Sequence, residues 1–245
     1  MLFRSGTSTN GNGIGVAVID SGVEKNADIE DLTGWKDFTP AAKTTPYDDF
    51  GHGTHIAGLI KGKGDLSDAK YQGVGLATNI IGLKVLDANG QGDVTTVIAA
   101  IQYAVSKKAS LGIDIINLSL GHPVYEPAAT DPLVQAVEAA TRAGIAVVVS
   151  AGNEATSVAP CPAAYSEVLT VGAVGPTGRR ASYSNFGAKT VDLGAPGSSI
   201  FSTVPGGGYA YLSGTSMATP HVTGALALLA SYYPTYSASQ LRDLL

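Results

Sequence analysis

Short apolar runs that alternate with longer helical patterns constrain the fold of this chain more than any other feature. Each run is bounded by Gly, Asp or Asn, and the five runs are residues 15–19, 80–86, 113–118, 145–149 and 168–174. Such runs are typical of strands buried on both faces of a parallel sheet. Residues 94–104 and 133–143, between them, carry apolar stripes at helical spacing. The alternation predicts an α/β fold with a mainly parallel sheet, right-handed crossovers and helices on both faces, in three layers.

Composition sets the size of the core and excludes some partners. The 245 residues are 44% hydrophobic and 14% charged, so we expect residues 1–245 to form a single domain with a large core. The net charge of −5 and the absence of a Lys/Arg run disfavour binding to nucleic acid or to an anionic membrane. Residues 1–6 lack the apolar stretch of a secretory signal, and no window approaches a membrane span. Cys161 is the only cysteine, so we expect a buried free thiol.

In a parallel sheet, ligand chemistry belongs at the carboxyl ends of the strands, and Asp20 ends the first predicted strand. A small residue and a glycine follow it. Alone this is a weak signal, because an Asp at this position often only caps a turn.

Two histidines stand in the segment 51–58, where a helical start rich in small residues follows them. His52 and His55 are three residues apart, which raises a metal site as an alternative. No acidic third ligand stands at a metalloprotease spacing, so this alternative is disfavoured. We expect His55 to carry protons and His52 to be its structural neighbour.

Ser216 stands where the segment 214–221 leads into a helix rich in small residues and leucine. A hydroxyl at a helix start lies near unpaired backbone N–H groups and the positive end of the helix dipole, where developing negative charge is favoured. Pro220 is expected to fall in the first helical turn, where proline is tolerated.

Asp20, His55 and Ser216 occur in the order Asp, His, Ser, which distinguishes one of several convergent triad families. The segments 18–22, 52–58 and 214–221 resemble the three signature blocks of the subtilisin-like serine peptidases. The resemblance runs from about residue 13 to the end and includes segments 85–90, 116–121 and 150–154. It implies a subtilisin-like fold and a serine endopeptidase that forms an acyl-enzyme, with Asp20, His55 and Ser216 as its triad.

The resemblance also implies further site residues. Asn153 would donate its side-chain amide to the oxyanion, although it could instead be a turn residue after a strand. The cleft residues that the resemblance implies for the substrate are Gly90, Gln91, Gly92, Ser119, Leu120, Gly121, Ser150, Ala151, Gly152 and Pro160. Glu154 is expected at the rim of the pocket for the residue before the cut, and the bond between Cys161 and Pro162 is expected to be cis.

No cofactor is expected for the chemistry. The family often binds structural calcium, and the resemblance implies a weak cation site formed by Ala163, Tyr165, Val168 and Asp192. We expect protein or peptide substrates, a monomer, and a secreted mature domain that has been trimmed at both ends.

Two other functions remain as alternatives. One is a catalytically silent relative that only binds, because a fold alone does not establish activity. The other is a nucleotide-binding module, suggested by the glycines of residues 11–15. That run precedes the first strand, whereas a phosphate loop must follow one, so the second alternative is disfavoured.

Overall fold

The computed structural model describes residues 9–158 and 160–245. The strands are β1 (Gly15–Asp20), β2 (Gly34–Asp37), β3 (Asn79–Lys84), β4 (Ile113–Leu118), β5 (Ala146–Ser150), β6 (Leu169–Val174), β7 (Leu193–Pro196), β8 (Ile200–Val204) and β9 (Gly208–Leu212). The α-helices are α1 (His52–Lys61), α2 (Val94–Leu111), α3 (Pro132–Arg142), α4 (Thr215–Tyr232) and α5 (Ala238–Arg242), and Asp65–Ser67 forms a 3₁₀ turn.

The central sheet has seven strands in the order β2-β3-β1-β4-β5-β6-β7. Every neighbouring pair in it is parallel. Strands β8 and β9 form a separate antiparallel hairpin. The predicted α/β class with a mainly parallel sheet is confirmed.

Two hydrophobic cores lie on opposite faces of the sheet, because successive side chains of a strand point to opposite faces. On β1, Val16 and Val18 pack into the core that also contains the buried faces of α1 and α4. Ala17 and Ile19 pack into the other core, with α2 and α3. The result is the three-layer arrangement, with α1 and α4 on one face of the sheet and α2 and α3 on the other.

All five predicted strands are present, with ends shifted by at most two residues. The sequence patterns did not indicate β2, β7 or the β8–β9 hairpin. These strands are short and only partly buried, so they lack a continuous apolar run. Helix α2 continues to Leu111 and ends at Gly112, which has a left-handed backbone with φ of 62°.

Residues 1–8 lie outside the described part of the chain. They belong to the predicted single domain of residues 1–245. The prediction that residues 1–6 lack a secretory signal also falls on them. The single-domain prediction stays a prediction. None of the helices in the described part of the chain has both the length and the apolar character needed to cross a membrane.

Candidate active site

Asp20 is the last residue of β1, at the carboxyl edge of the sheet, and its side chain is fully buried. Its Oδ1 lies 2.8 Å from Nδ1 of His52, the first residue of α1, and 2.7 Å from the backbone N–H of Ser21. Because a carboxylate only accepts, Nδ1 carries the proton and donates it to Asp20. This leaves Nε2 of neutral His52 as a base.

The side chain of His52 is 20% exposed and borders a cavity of about 520 Å³. Burial by itself would lower the pKa of His52, but the charge and hydrogen bond of Asp20, helped by Asp48, raise it above its ordinary value. The imidazolium form is therefore stabilised, as a group that accepts a proton during a reaction requires.

The predicted pairing of His55 with Asp20 is wrong. His55 lies one turn further along α1 and is fully buried. Its Nε2 is 3.2 Å from the carbonyl oxygens of both Ile200 and Ala210, so Nε2 carries a proton shared by the two acceptors. Burial lowers the pKa of His55 to about 4, against the opposing effect of these two hydrogen bonds. His55 is a neutral structural link between α1 and the β8–β9 hairpin.

Asp48 anchors the start of α1, although the sequence patterns gave no sign of it. Its carboxylate accepts the hydroxyls of Ser21 and Thr54 at 2.9 and 2.6 Å. It also accepts the backbone N–H groups of Gly51 and Thr54, both at 2.8 Å. Gly53 completes the contact, because a Cβ there would lie 2.0 Å from the carbonyl oxygen of Gly22. The first turn of α1 is thereby held against the end of β1, which positions His52 on Asp20.

Ser216 is the second residue of α4. Its hydroxyl donates to the carbonyl of Ser119 at 3.2 Å, and the Ser119 hydroxyl donates to the carbonyl of Ser216 at 3.0 Å. That second bond is available because of Pro220, which lies inside the helix and not in its first turn as expected. Proline has no N–H, so it leaves the carbonyl four residues earlier without its helical donor. The reciprocal bonds tie Ser216 to the end of β4.

Asn153 follows β5 and lies against the start of α4. Its Oδ1 accepts the backbone N–H of Thr215 at 2.9 Å and the Thr215 hydroxyl at 3.2 Å. A backbone N–H can only donate, so the orientation of the Asn153 amide is fixed and Nδ2 points away from Thr215. Asn153 and Ser216 border the same cavity, so Nδ2 is available to a ligand there.

Two adjoining cavities of about 520 Å³ each share the segment 119–122 as a common wall. The first lies beside His52 and is lined by the predicted residues Gly90, Gln91 and Gly92. The second lies beside Ser216. Of the predicted substrate residues it contains Ser119, Leu120, Gly121, Ser150, Gly152 and Pro160, with Glu154 also in its lining.

Ala151 is the exception among the predicted substrate residues. It is almost fully buried, and its N–H donates to the carbonyl of Val171 inside the sheet. Three further lining residues were not predicted: Phe50 in the first cavity, Val158 in the second, and His122, which borders both. Phe50 and Val158 are exposed apolar side chains next to glycine-rich or turn segments, which was the available signal.

Two of the four residues predicted for a cation, Ala163 and Asp192, contact Thr170. The Thr170 hydroxyl donates to the carbonyl of Ala163 at 3.0 Å, and its N–H donates to Oδ2 of Asp192 at 2.7 Å. The carbonyl of Tyr165 accepts the N–H of Val168 at 3.4 Å. Oxygen ligands of this kind suit Ca²⁺, and each carbonyl retains a second lone pair, so the residues fit a weak site.

Cys161 is buried, as expected, and the bond between Cys161 and Pro162 is cis, as expected. Burial raises the pKa of the Cys161 thiol to about 12, with a further contribution from the Asp131 carboxylate. A thiol of this pKa is a poor nucleophile at neutral pH.

An acid–histidine pair borders one of two adjoining cavities and a serine at a helix start borders the other, at the carboxyl edge of a parallel sheet and in the chain order Asp, His, Ser. Among the convergent serine hydrolases, this fold and this chain order are those of the subtilisin-like class. The profile of the Subtilase family matches residues 11–245, and the chain belongs to this family.

Similar proteins support this family assignment. Subtilisin NAT of Bacillus subtilis subsp. natto is 41% identical over 95% of this chain, and the chain spans only 59% of that relative's length. A subtilisin of Bacillus pumilus is also 41% identical, with 82% of its length covered. Among solved structures, a cold adapted subtilisin-like serine proteinase superposes with a TM-score of 0.86 at 33% identity, covering all of this chain and 85% of its own.

Proposed function

We propose that this protein is a serine endopeptidase whose triad is Asp20, His52 and Ser216. The observation that carries the proposal is the 2.8 Å contact between Nδ1 of His52 and Oδ1 of Asp20, which leaves Nε2 as a base at the cleft. The cleft beside it contains Ser216 at the start of α4. His52 takes the place that the sequence analysis gave to His55.

In the proposed reaction, Ser216 leaves the Ser119 carbonyl and gives its proton to Nε2 of His52 as it attacks the peptide carbonyl. Asp20 holds the tautomer and stabilises the imidazolium. The proton then passes to the leaving amine, and water hydrolyses the acyl-enzyme by the same steps. The oxyanion receives hydrogen bonds from Nδ2 of Asn153 and the first-turn N–H of Ser216.

A serine-directed reagent tests this proposal. Purified protein is treated with a sulfonyl fluoride or an organophosphate, and the adduct is located by peptide mass mapping. We expect a single adduct on Ser216, lost in His52→Gln and retained in His55→Gln. An adduct on another serine, or none on folded protein, would contradict the proposal and favour a catalytically silent binding domain. The chemistry requires no cofactor.

The substrate is proposed to be an extended segment of protein or peptide. Segments 119–121 and 90–92 border the first cavity from two sides, and both contain glycine. A backbone laid between them can form main-chain hydrogen bonds on each side, which is recognition by strand addition. Such recognition tolerates many sequences.

The second cavity is proposed to bind the residue before the cut. Its lining includes Leu120, Gly121, Gly152 and Pro160, which are small or apolar, and the Pro160 ring reduces the space for the largest side chains. We expect Leu and Met to be preferred over the largest aromatic residues, and Asp to be poor because Glu154 lies in the lining. A peptide panel varied at this residue and compared by kcat/KM measures this preference. A higher value for Asp or Glu than for Leu would refute it.

We also propose a structural cation. Ala163, Tyr165, Val168 and Asp192 would hold a weak structural Ca²⁺, and two of these residues supply oxygens that accept hydrogen bonds from Thr170. Asp192→Asn should then reduce any Ca²⁺-dependent rise in Tm. A monomer that is secreted and binds neither nucleic acid nor membrane stays a prediction.

A further inference from the structure

His122, Asp131 and Cys161 form a cluster that the proposed peptidase chemistry does not use, and His122 of this cluster lines the second cavity. Their side-chain N, O and S ligand atoms all lie within 4.8 Å of one another. Asp131 and Cys161 are 1% exposed, and His122 borders both cavities. Three different ligand types thus meet behind the cleft, and one of them, His122, borders it.

The backbone holds all three residues in place. His122 and Cys161 form an isolated antiparallel bridge, in which each N–H donates to the other's carbonyl at 3.0 Å. Asp131 is the N-cap of α3, and its Oδ1 accepts the N–H groups of Leu133 and Val134 at 2.9 and 3.1 Å. Oδ1 is thereby occupied, and Oδ2 is the oxygen that faces His122.

The tautomer of His122 suits a metal ligand. Its Nδ1 lies 2.7 Å from the carbonyl oxygen of Pro123, so Nδ1 carries the proton and neutral His122 presents a lone pair on Nε2. Metal-binding histidines are commonly oriented by such a bond from the other ring nitrogen. That lone pair points toward the Asp131 carboxylate, and two acceptors can face each other only around a proton or a cation.

The spacing favours the cation. Nε2 of His122 and Oδ2 of Asp131 are 3.4 Å apart, which is longer than an ordinary N–H···O hydrogen bond. Two zinc bonds of about 2.05 Å at a tetrahedral angle place their N and O atoms about 3.4 Å apart. The corresponding S to N distance is about 3.6 Å, so the Cys161 side chain would move by roughly 1 Å to complete the site.

We propose that His122, Asp131 and Cys161 bind one Zn²⁺ ion, with a fourth position open to the cleft. A thiolate and an imidazole disfavour Ca²⁺ and Mg²⁺, which take oxygen ligands. One thiolate, one carboxylate and a neutral imidazole balance the charge of a dication, which a buried site requires. The bound ion joins segments 122 and 161 of the cavity wall to the start of α3, so it should stabilise the fold.

Cobalt(II) is a suitable probe, because it takes zinc sites and a thiolate ligand gives it a charge-transfer absorption in the near ultraviolet. The Ser216→Ala chain, which cannot digest itself, is stripped with a chelator and titrated with Co²⁺ and then Zn²⁺. We expect one Co²⁺ per chain with this absorption, displacement by Zn²⁺, and a higher Tm with Zn²⁺. Cys161 is the only cysteine, so the absorption can come from no other residue.

Variants distinguish a site formed by all three residues from metal binding by the Cys161 thiol alone. His122→Gln and Asp131→Asn should each weaken Co²⁺ binding at least about tenfold. Asn retains the oxygen that caps α3, so this variant keeps its fold. His221→Gln, a half-buried histidine outside the cluster, should leave binding unchanged. Absorption that is missing in the parent chain, or undiminished in both ligand variants, would overturn the proposal and leave a proton between His122 and Asp131.

Discussion

Helix α1 carries two histidines one turn apart, and the two have opposite surroundings. His52 starts the helix at the cleft, where Asp20 raises its pKa. His55 faces the β8–β9 hairpin, where burial lowers its pKa to about 4. One ring contacts a carboxylate and the other contacts two carbonyls, although both make hydrogen bonds.

The comparison shows that a histidine's role depends on the charge of the group it contacts. A carboxylate stabilises the imidazolium by both charge and hydrogen bonding. Carbonyl oxygens accept the same ring proton but compensate less for the lost hydration of a charged ring. His52 is therefore suited to accept a proton, and His55 is suited to stay neutral.

Replacing each histidine by glutamine should give the largest difference between the two residues, measured in kcat/KM. His52→Gln removes the base, and we expect kcat/KM to fall by about 10⁶, a loss measured for the histidine of a subtilisin, which is a relative of this chain. His55→Gln keeps an N–H donor for Ile200 and Ala210, so kcat/KM should stay within about tenfold. Steady-state kinetics on a peptide substrate measures both.

Circular dichroism serves as the control, because both variants must be folded for the kinetics to be compared. If His55→Gln were the inactive variant and His52→Gln the active one, the contact with Asp20 would not be the catalytic one.

Sequence patterns predicted most of the fold because the strands of a buried parallel sheet are apolar runs. They failed for β2 and the β8–β9 hairpin, whose partly buried strands depend on partners far away in the chain. They also predicted that Asp20 ends a strand, that Ser216 stands at a helix start and that Asn153 follows a strand, as the structure shows.

The choice between the two histidines needed information that spacing alone does not contain. Helical periodicity gave no signal, because both histidines stand four residues before a buried apolar residue and α1 is buried from Gly53 to Lys61. Asp48 gave no signal, because its partners are backbone N–H groups of a turn formed only in the folded chain.

Asp20→Asn sharpens the comparison, because it changes the partner of His52 alone. An amide can present its N–H groups to the ring and favour the wrong tautomer, so we expect kcat to fall by about 10⁴, as in a serine peptidase of another fold. The pKa of His52 should also fall, measured by NMR titration of its ring protons. The ring signals of His55 should be unchanged, and a shift of both would show that the two rings are coupled.

The pH dependence of activity should follow His52. Nε2 must be unprotonated to act as a base, so kcat/KM should fall on acidification, with a midpoint above the ordinary value of about 6.5. Between pH 8 and pH 5 the loss should exceed about 30-fold. A midpoint near about 4, the pKa to which burial lowers His55, would instead identify that residue as the base. The measurement is a pH profile of kcat/KM at constant ionic strength, with folding checked at each pH.

The smallest expected effect is on stability, where the two histidines act with opposite sign. A histidine whose folded pKa is raised, as in His52, stabilises the fold at low pH and loses that contribution as pH rises through the folded value. His55 has a lowered folded pKa of about 4, so the unfolded chain binds more protons and stability falls as pH drops from about 6.5 towards 4. Between pH 7 and pH 5, His55 should cost about 2 kcal/mol of unfolding free energy. Denaturant unfolding of the Ser216→Ala chain with and without His55→Gln isolates this contribution, because His52 titrates in both proteins. An equal loss of stability on acidification in the two proteins would show that His55 is protonated in the folded state, and that the contrast with His52 does not hold.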